Sequence, residues 1–171
     1  MTPEKAIGTK FEIWLEILLK RLGQQNVLRN VEFRKNGAYR QADLIYNVIH
    51  EQKIKLILVE AKYSSNGNIG YKLREGEKEK NGRLIETIDN LVDEVDERRM
   101  FIGADYAVLT TNKGFDYKIK EESKSRYIKL LDKESLIKLY NQNLGLKGDI
   151  ESSIKSIELK RHNLNPNIIY K

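Results

Sequence analysis

Two short stretches, Gln41-Ala42-Asp43-Leu44-Ile45 and Val59-Glu60-Ala61-Lys62, decide the expected fold. The second stretch closes an apolar run that begins at Leu56, and an unbroken run of this kind indicates a central strand covered on both faces. The first stretch lies near the start of the preceding strand candidate, residues 40–49, and a polar turn over residues 50–53 joins the two strands. Neighbouring strands therefore bring an Asp and a Glu toward each other.

Asp43 and Glu60 are suited to hold one metal ion between them. Hydrolysis of a phosphodiester needs a cation that neutralises the scissile phosphate and lowers the pKa of an attacking water, and hard carboxylate oxygens bind magnesium. Because side chains alternate along a strand, Glu60 and Lys62 share a face, and Ala61 can offer its backbone carbonyl as a further ligand. Lys62 can then orient the attacking water, help to deprotonate it, or stabilise the charged transition state.

An acidic residue two positions before a Lys is common, and the sequence contains five such triplets. Only the triplet at residues 60–62 ends a strongly apolar strand and follows a strand that starts near an Asp. The alternative interpretation is an ion pair at a strand end, either Glu60–Lys62 or Asp43–Lys62. Burying a charge without a partner is costly, so two charged residues closing a buried strand favour a chemical task.

These residues resemble the PD-(D/E)xK nucleases, in which an Asp is followed by a hairpin and a strand that ends in Glu-x-Lys. Ala42 stands where the family usually has Pro, and this departure removes no ligand. Gly8-Thr9-Lys10-Phe11-Glu12 is similar to the start of the first helix in Mrr-type restriction endonucleases. In that family and in archaeal Holliday-junction resolvases a Glu on this helix joins the metal site. Glu12 is the matching position; its alternative role is that of an exposed helix carboxylate.

The resemblance covers roughly residues 8–140, since Ala107–Thr111 and Ile128–Glu134 are similar to the later strands of the Mrr-like fold. Arg40-Gln41 departs from the Gly-Gly that is typical of that family. The resemblance implies DNA as the substrate and Mg²⁺ as the cofactor, with Mn²⁺ as a substitute. It also makes a homodimer plausible, because cutting both strands of a duplex calls for two sites. A partner protein that supplies targeting is a further expectation, since the chain has little room for a recognition module.

Apolar spacing and turn residues predict the remaining elements. Helices are expected over residues 3–22, 83–99, 115–126, 132–140 and 149–160, strands over 27–33, 40–49, 55–61, 106–111 and 127–131, a polar loop over 64–82, and a loose tail at the end. We therefore expect an α/β, restriction-endonuclease-like αβββαβ core with a mixed central sheet flanked by helices. Residues 1–145 form the expected nuclease domain, and the C-terminal helix and tail, residues 146–171, are expected to pack on it.

Several side chains near the expected active-site edge are candidate DNA contacts. They are Gln41, Tyr63, Lys72, Arg74 and Lys113. Ordinary alternatives stand beside them: a glutamine that solvates a strand start, a packing tyrosine, and basic residues that alternate with glutamates in a solvated, salt-bridged segment.

The composition limits the kinds of site and partner. The chain of 171 residues has a net charge of +6 and a pI near 9.3, which favours polyanionic partners. It has no Cys and only two His, so disulfides and Cys-ligated zinc are excluded and oxygen ligands are expected at any metal. We see neither a membrane-length apolar run nor a signal peptide, so we expect a cytoplasmic protein that does not enter a membrane.

Three functions fit these observations. The expected one is a metal-dependent DNA endonuclease, either restriction-like or DNA-processing, including Holliday-junction resolution. The second is a catalytically inactive nucleic-acid-binding module, against which the intact Asp43, Glu60 and Lys62 argue. The third is a subunit of a larger DNA-processing complex in which the motif is a strand-end ion pair.

Overall fold

The structure is a computed structural model, and it describes residues 1–73, 88–143 and 149–171. Its elements in chain order are α1 (Pro3–Arg21), β1 (Gln25–Lys35), β2 (Ala38–His50), β3 (Lys53–Lys62), α2 (Leu91–Ile102), β4 (Tyr106–Thr111), α3 (Tyr117–Ser123), β5 (Ile128–Leu131), α4 (Lys133–Lys138) with a π-helical turn (Leu139–Asn143), α5 (Ile150–Lys155), a 3₁₀ turn (Leu159–Arg161) and β6 (Asn167–Tyr170). The predicted order of the core, αβββαβ, is confirmed.

The six strands form one mixed sheet in the order β5-β4-β3-β2-β1-β6. β1, β2 and β3 are an antiparallel meander, β4 and β5 run parallel to β3, and β6 runs parallel to β1. Helices flank the sheet: α1 packs through Phe11, Trp14 and Leu18 on one side, and α2 packs through Leu91 and Val95 on the other. This is the predicted mixed sheet between helices.

Local sequence signals explain where the first elements begin and turn. Thr2 caps α1 by accepting a hydrogen bond from the backbone N–H of Lys5 at 3.2 Å, as expected of an N-cap. Asn36 and Gly37 have φ of 50° and 80°, which is the left-handed pair that a two-residue hairpin requires between β1 and β2. The β3 strand closes the meander after a second tight turn.

The predicted helix over residues 83–99 differs from α2. Its first part and part of the predicted loop fall in residues 74–87, outside the described residues. Residues 88–90 are not helical, and Asn90 caps α2 by accepting a hydrogen bond from the N–H of Asp93 at 2.8 Å. The helix then runs to Ile102, beyond the predicted end, because the apolar stripe continues and Gly103 supplies the left-handed stop, with φ of 78°.

The predicted loose tail is wrong for residues 167–170, which form β6 at the edge of the sheet. Four residues are too few to show a period, and their hydrogen-bonding partner β1 lies far away in the sequence. The final helix is also shorter than predicted, and α5 packs on α1: Trp14 Nε1 donates to Ser153 Oγ at 3.0 Å, and Lys10 Nζ donates to the Lys155 carbonyl at 3.1 Å. Within the described ranges no helix is both long and apolar enough to span a bilayer.

Candidate active site

The sheet opens between β2 and β3 at the predicted motif. The ladder between these strands stops at the pair Leu44–Val59, so Asp43 and Glu60 come one residue beyond the last pair. In place of a further ladder bond, the backbone N–H of Ala61 donates to Oδ2 of Asp43 at 2.8 Å. Because the N–H and C=O of a strand residue point to the same side, the Ala61 carbonyl also faces this opening.

A left-handed residue on β1 coincides with the opening. Val31 pairs with Ala42 and Arg29 pairs with Leu44, so Asn30 lies opposite Asp43 in the register, and its φ is 55°. Alternation along β2 is broken here: Ala42 packs in the cluster under α2, whereas Leu44 packs in the cluster under α1. Asn tolerates left-handed φ better than most residues, so the sequence supplies a suitable residue where the strand must bend.

A cleft of about 510 Å³ lies at this opening and reaches both α1 and α2. It is lined by Glu4, Lys5, Gly8, Thr9, Glu12, Gln41, Asp43, Glu60, Ala61, Lys62, Tyr63, Glu94 and Arg98. All four predicted catalytic side chains, Glu12, Asp43, Glu60 and Lys62, therefore share one cavity. α1 contributes one of them, β2 one and β3 two, so no single local segment builds the site.

The carboxylates in this cleft are crowded enough to hold protons. Burial, the charge of Asp43, a hydrogen bond to Asp43 and the charge of Glu60 together raise the pKa of Glu12 to about 10, against the opposing effect of Arg29. Burial also raises the pKa of Glu60 well above its usual range, although Arg98 and Lys62 oppose this rise. A cation bound in the cleft would reduce the repulsion among these carboxylates, as protonation does.

Two charged residues of α2 that the sequence analysis missed complete the cleft. Arg98 is 5% exposed, and its Nη1 lies 2.8 Å from Oε2 of Glu60, which is 2% exposed. Its Nη2 lies 3.3 Å from Oε1 of Glu94, one helical turn earlier. Burial disfavours the charge of Arg98, but Glu60 and Glu94 raise its pKa above the ordinary value. A signal existed, since both residues interrupt the apolar stripe that α2 presents to the sheet.

The donor set of the cleft has the chemistry of a magnesium site. Glu60 Oε1 is buried without a hydrogen-bond partner among the described residues, and the carboxylates of Asp43 and Glu12 lie beside it. As the side chains stand, however, no three His, Cys, Asp or Glu of the described ranges are arranged to hold an ion. Asp43 is turned toward the Ala61 N–H and Glu60 toward Arg98, so the chemistry fits a cation whose binding requires these side chains to shift.

Arg40 joins β2 to α2 next to the cleft. It is 2% exposed, its Nη2 lies 2.7 Å from Oε1 of Glu97, and its guanidinium lies 4.5 Å from the ring centroid of Phe101. Arg40 therefore anchors the start of β2.

The residues predicted to contact DNA differ in their exposure and in their partners within the protein. Gln41 is exposed at the cleft. The ring of Tyr63 packs edge-on against Phe11 with centroids 6.0 Å apart, and its hydroxyl donates to Oε2 of Glu151 at 2.8 Å. Burial and this carboxylate raise the pKa of Tyr63 to about 12. Lys113 Nζ lies 4.0 Å from Oε1 of the same Glu151.

A groove of about 460 Å³ continues from the cleft, with which it shares Glu4, Lys62 and Tyr63. Lys72 is exposed along it, and the segment that precedes Lys72 supplies hydroxyl and amide groups from residues 64–68. Arg74, the remaining predicted DNA contact, lies outside the described residues.

No family model matches the chain, and no curated protein sequence matches it. In structure it is similar to AF1548, a protein of unknown function, with 18% identity and a TM-score of 0.60 over 90% of this chain and 73% of that one. It is also similar to the DNA modification-dependent restriction endonuclease AspBHI, with 17% identity and a TM-score of 0.53 over 91% of this chain. The match spans 40% of AspBHI. The chain thus has a restriction-endonuclease-like fold, a mixed sheet flanked by helices.

Proposed function

We propose that this protein is a metal-dependent DNA endonuclease that hydrolyses phosphodiester bonds. The observation that carries the proposal is the convergence of Glu12, Asp43, Glu60 and Lys62 in one cleft at the opening between β2 and β3. The fold alone does not require three carboxylates and a lysine to meet at the end of a buried strand. The mutual repulsion of the carboxylates makes this arrangement costly, which favours a chemical role.

The proposed cofactor is Mg²⁺, for which Mn²⁺ can substitute, held by Asp43, Glu60, Glu12 and the carbonyl of Ala61. When bound, the ion supplies charge neutralisation at the scissile phosphate and lowers the pKa of the attacking water. Lys62 adds a positive charge at the same place, where it can orient the water and stabilise the negative charge that develops in the transition state.

DNA is the proposed substrate for two reasons besides the cleft. The chain carries a net charge of +6, and a structural neighbour is a restriction endonuclease that acts on DNA. In this proposal a DNA strand follows the groove beside the cleft and is contacted by Gln41, Tyr63, Lys72 and Lys113. Arg74, which lies outside the described residues, remains a proposed DNA contact on the ground of its sequence alone. A homodimer would cut both strands of a duplex, and a partner protein would supply targeting. Restriction of the Mrr type is the proposed role, and Holliday-junction resolution is the alternative role.

The test compares wild-type protein with Asp43→Ala and with Asp105→Ala as a matched control. The two aspartates make the same kind of structural bond to β3: Asp43 accepts from Ala61 N–H, and Asp105 Oδ2 accepts from Leu56 N–H at 2.8 Å, outside the cleft. Each protein is incubated with supercoiled plasmid, a four-way junction and single-stranded DNA, with Mg²⁺, with Mn²⁺ or with a chelator.

Metal-dependent cutting by wild type and Asp105→Ala, with none by Asp43→Ala, is the expected result, and the preferred DNA identifies the role. If all three proteins bind DNA equally and none cuts any substrate with either metal, the proposal is wrong and the inactive nucleic-acid-binding module is favoured. Equal loss of cutting in both variants would show that the loss comes from destabilising β3 rather than from removing a metal ligand.

A further inference from the structure

Arg98 is the deepest cation in the cleft, and both of its anchors are buried carboxylates. Its two terminal nitrogens lie 2.8 Å from Oε2 of Glu60 and 3.3 Å from Oε1 of Glu94, and Glu94 is 4% exposed. A guanidinium does not lose its proton in a protein, so this positive charge is permanent. Removing it would leave Glu60 and Glu94 without the cation that contacts both of them, which is costly.

The two carboxylate oxygens of Glu60 have different surroundings. Oε2 is bound by Arg98, while Oε1 is buried and has no hydrogen-bond partner among the described residues. Asp43 is the neighbour of Glu60 on the adjacent strand, one residue beyond the last pair of the ladder between β2 and β3. One oxygen of Glu60 is therefore committed to the arginine, and the other remains for a ligand near Asp43.

Carboxylates outnumber cationic side chains in the lining of the cleft. Five carboxylates line it (Glu4, Glu12, Asp43, Glu60 and Glu94) together with three cationic side chains (Lys5, Lys62 and Arg98). Arg98 is therefore one of only three positive charges that stand against this excess of carboxylates, and it is the one that contacts both Glu60 and Glu94.

We propose that Arg98 serves as a built-in counter-ion that restricts the site to one divalent cation, bound by Oε1 of Glu60 with Asp43 and Glu12. The guanidinium contacts both Glu60 and Glu94, so a second ion that bridged these two carboxylates would have to displace it. This inference rests on the proposed function, because it assigns the metal site of the same cleft. It adds that the site works with one ion and that Arg98 is the positioning residue for Glu60.

The test counts bound ions without DNA and without turnover. Isothermal titration with Ca²⁺, and Mn²⁺ counting by electron paramagnetic resonance, are applied to wild type, Arg98→Lys and Arg98→Met. We expect one ion per chain in wild type and in Arg98→Lys, which keeps the charge. We expect two ions in Arg98→Met, and a larger rise of its melting temperature with Ca²⁺ than wild type shows.

Glu94→Gln provides a second measurement that does not require a folded Arg98→Met. It keeps Arg98 but lowers the negative charge of the lining by one unit, so Ca²⁺ affinity should fall by about tenfold or more while the stoichiometry stays at one. Two ions in wild type, one ion with unchanged affinity in Arg98→Met, unchanged affinity in Glu94→Gln, or no ion in wild type would each overturn the inference.

The same titration separates this inference from the nuclease proposal. Two bound ions together with DNA cleavage would overturn the role of Arg98 and leave the nuclease standing. One bound ion in a protein that cleaves no DNA would support the role of Arg98 and overturn the nuclease proposal.

Discussion

The carboxylate of Asp43 takes the place of a backbone acceptor on β2, accepting the N–H of Ala61 on β3 at 2.8 Å. The two strands can therefore part after the pair Leu44–Val59 without leaving this N–H unsatisfied. The same carboxylate lines the cleft together with Glu12 from α1, and its charge raises the pKa of Glu12. One side chain thus supports the opening of the sheet and contributes to the chemistry proposed within it.

Lys62→Met should reduce DNA cleavage by about a hundredfold or more, because it removes the cation beside the proposed water and transition state. Ca²⁺ binding measured by titration should persist, since Lys62 is not a proposed ligand. Lys53→Met, at the start of the same strand in another acidic-x-Lys triplet, serves as control and should cleave as wild type does. Cleavage by Lys62→Met at the wild-type rate would remove this lysine from the mechanism.

The unfolding free energy should fall as pH rises from about 4.5 toward about 10 in the absence of divalent cations. The pKa of Glu12 is raised to about 10 in the folded protein, so the folded state holds a proton that the unfolded state releases above about 4.5. One such proton changes stability by at most about 1.4 kcal/mol per pH unit. The raised pKa of Glu60 acts with the same sign.

Glu12→Gln should flatten this pH dependence, because the amide stays neutral in both states. Urea unfolding midpoints at intervals between pH 5.5 and pH 9 in chelator measure it, with Glu51→Gln on an exposed turn as control. An equally steep fall in wild type and Glu12→Gln would show that Glu12 is not the group that holds the proton.

Asn30→Ala should destabilise the protein by about 1 kcal/mol more than Asn30→Gly, since φ is 55° at this position and only glycine adopts it without strain. Both variants lose the hydrogen bond from Asn30 Nδ2 to the Leu164 carbonyl, so their difference isolates the backbone term. Thermal unfolding of the pair gives the comparison. At Glu32 on the same strand the order should reverse, so that Glu32→Gly is less stable than Glu32→Ala. If the glycine variant were the more stable one at both positions, the left-handed backbone assigned to Asn30 would not be the cause.

Glu151→Ala should cost roughly 1–3 kcal/mol, because this carboxylate accepts from both the Tyr63 hydroxyl and the fully buried Asn112. Tyr63→Phe should cost about 1 kcal/mol, and a double-mutant cycle in urea should show the two changes to be coupled. Tyr71→Phe, which removes a similar bond to Glu122 away from the cleft, should show no coupling to Glu151→Ala. Full additivity of Tyr63→Phe and Glu151→Ala would mean that α5 does not brace the end of β3.

Several elements could be predicted because their signals are local. The apolar run ending in Glu60 produced β3, the pair Asn36-Gly37 produced the first hairpin, and Thr2 marked the start of α1. The spacing of Asp43 and Glu60 on adjacent strands followed from hairpin geometry alone. β6 escaped prediction because an edge strand of four residues is stabilised by its pairing with β1 rather than by any pattern of its own.

By itself, then, the sequence determined the first five strands in chain order and the meeting of Asp43, Glu60 and Lys62 at the end of β3, since alternation and turn chemistry act over a few residues. Only the tertiary structure decided that the sheet opens at Asp43, that Glu12 lies in the same cleft, and that Arg98 holds Glu60. These contacts join segments distant along the chain. Their energies depend on burial, which no local pattern specifies, because the same carboxylate is an ordinary solvated group until the fold removes water from it.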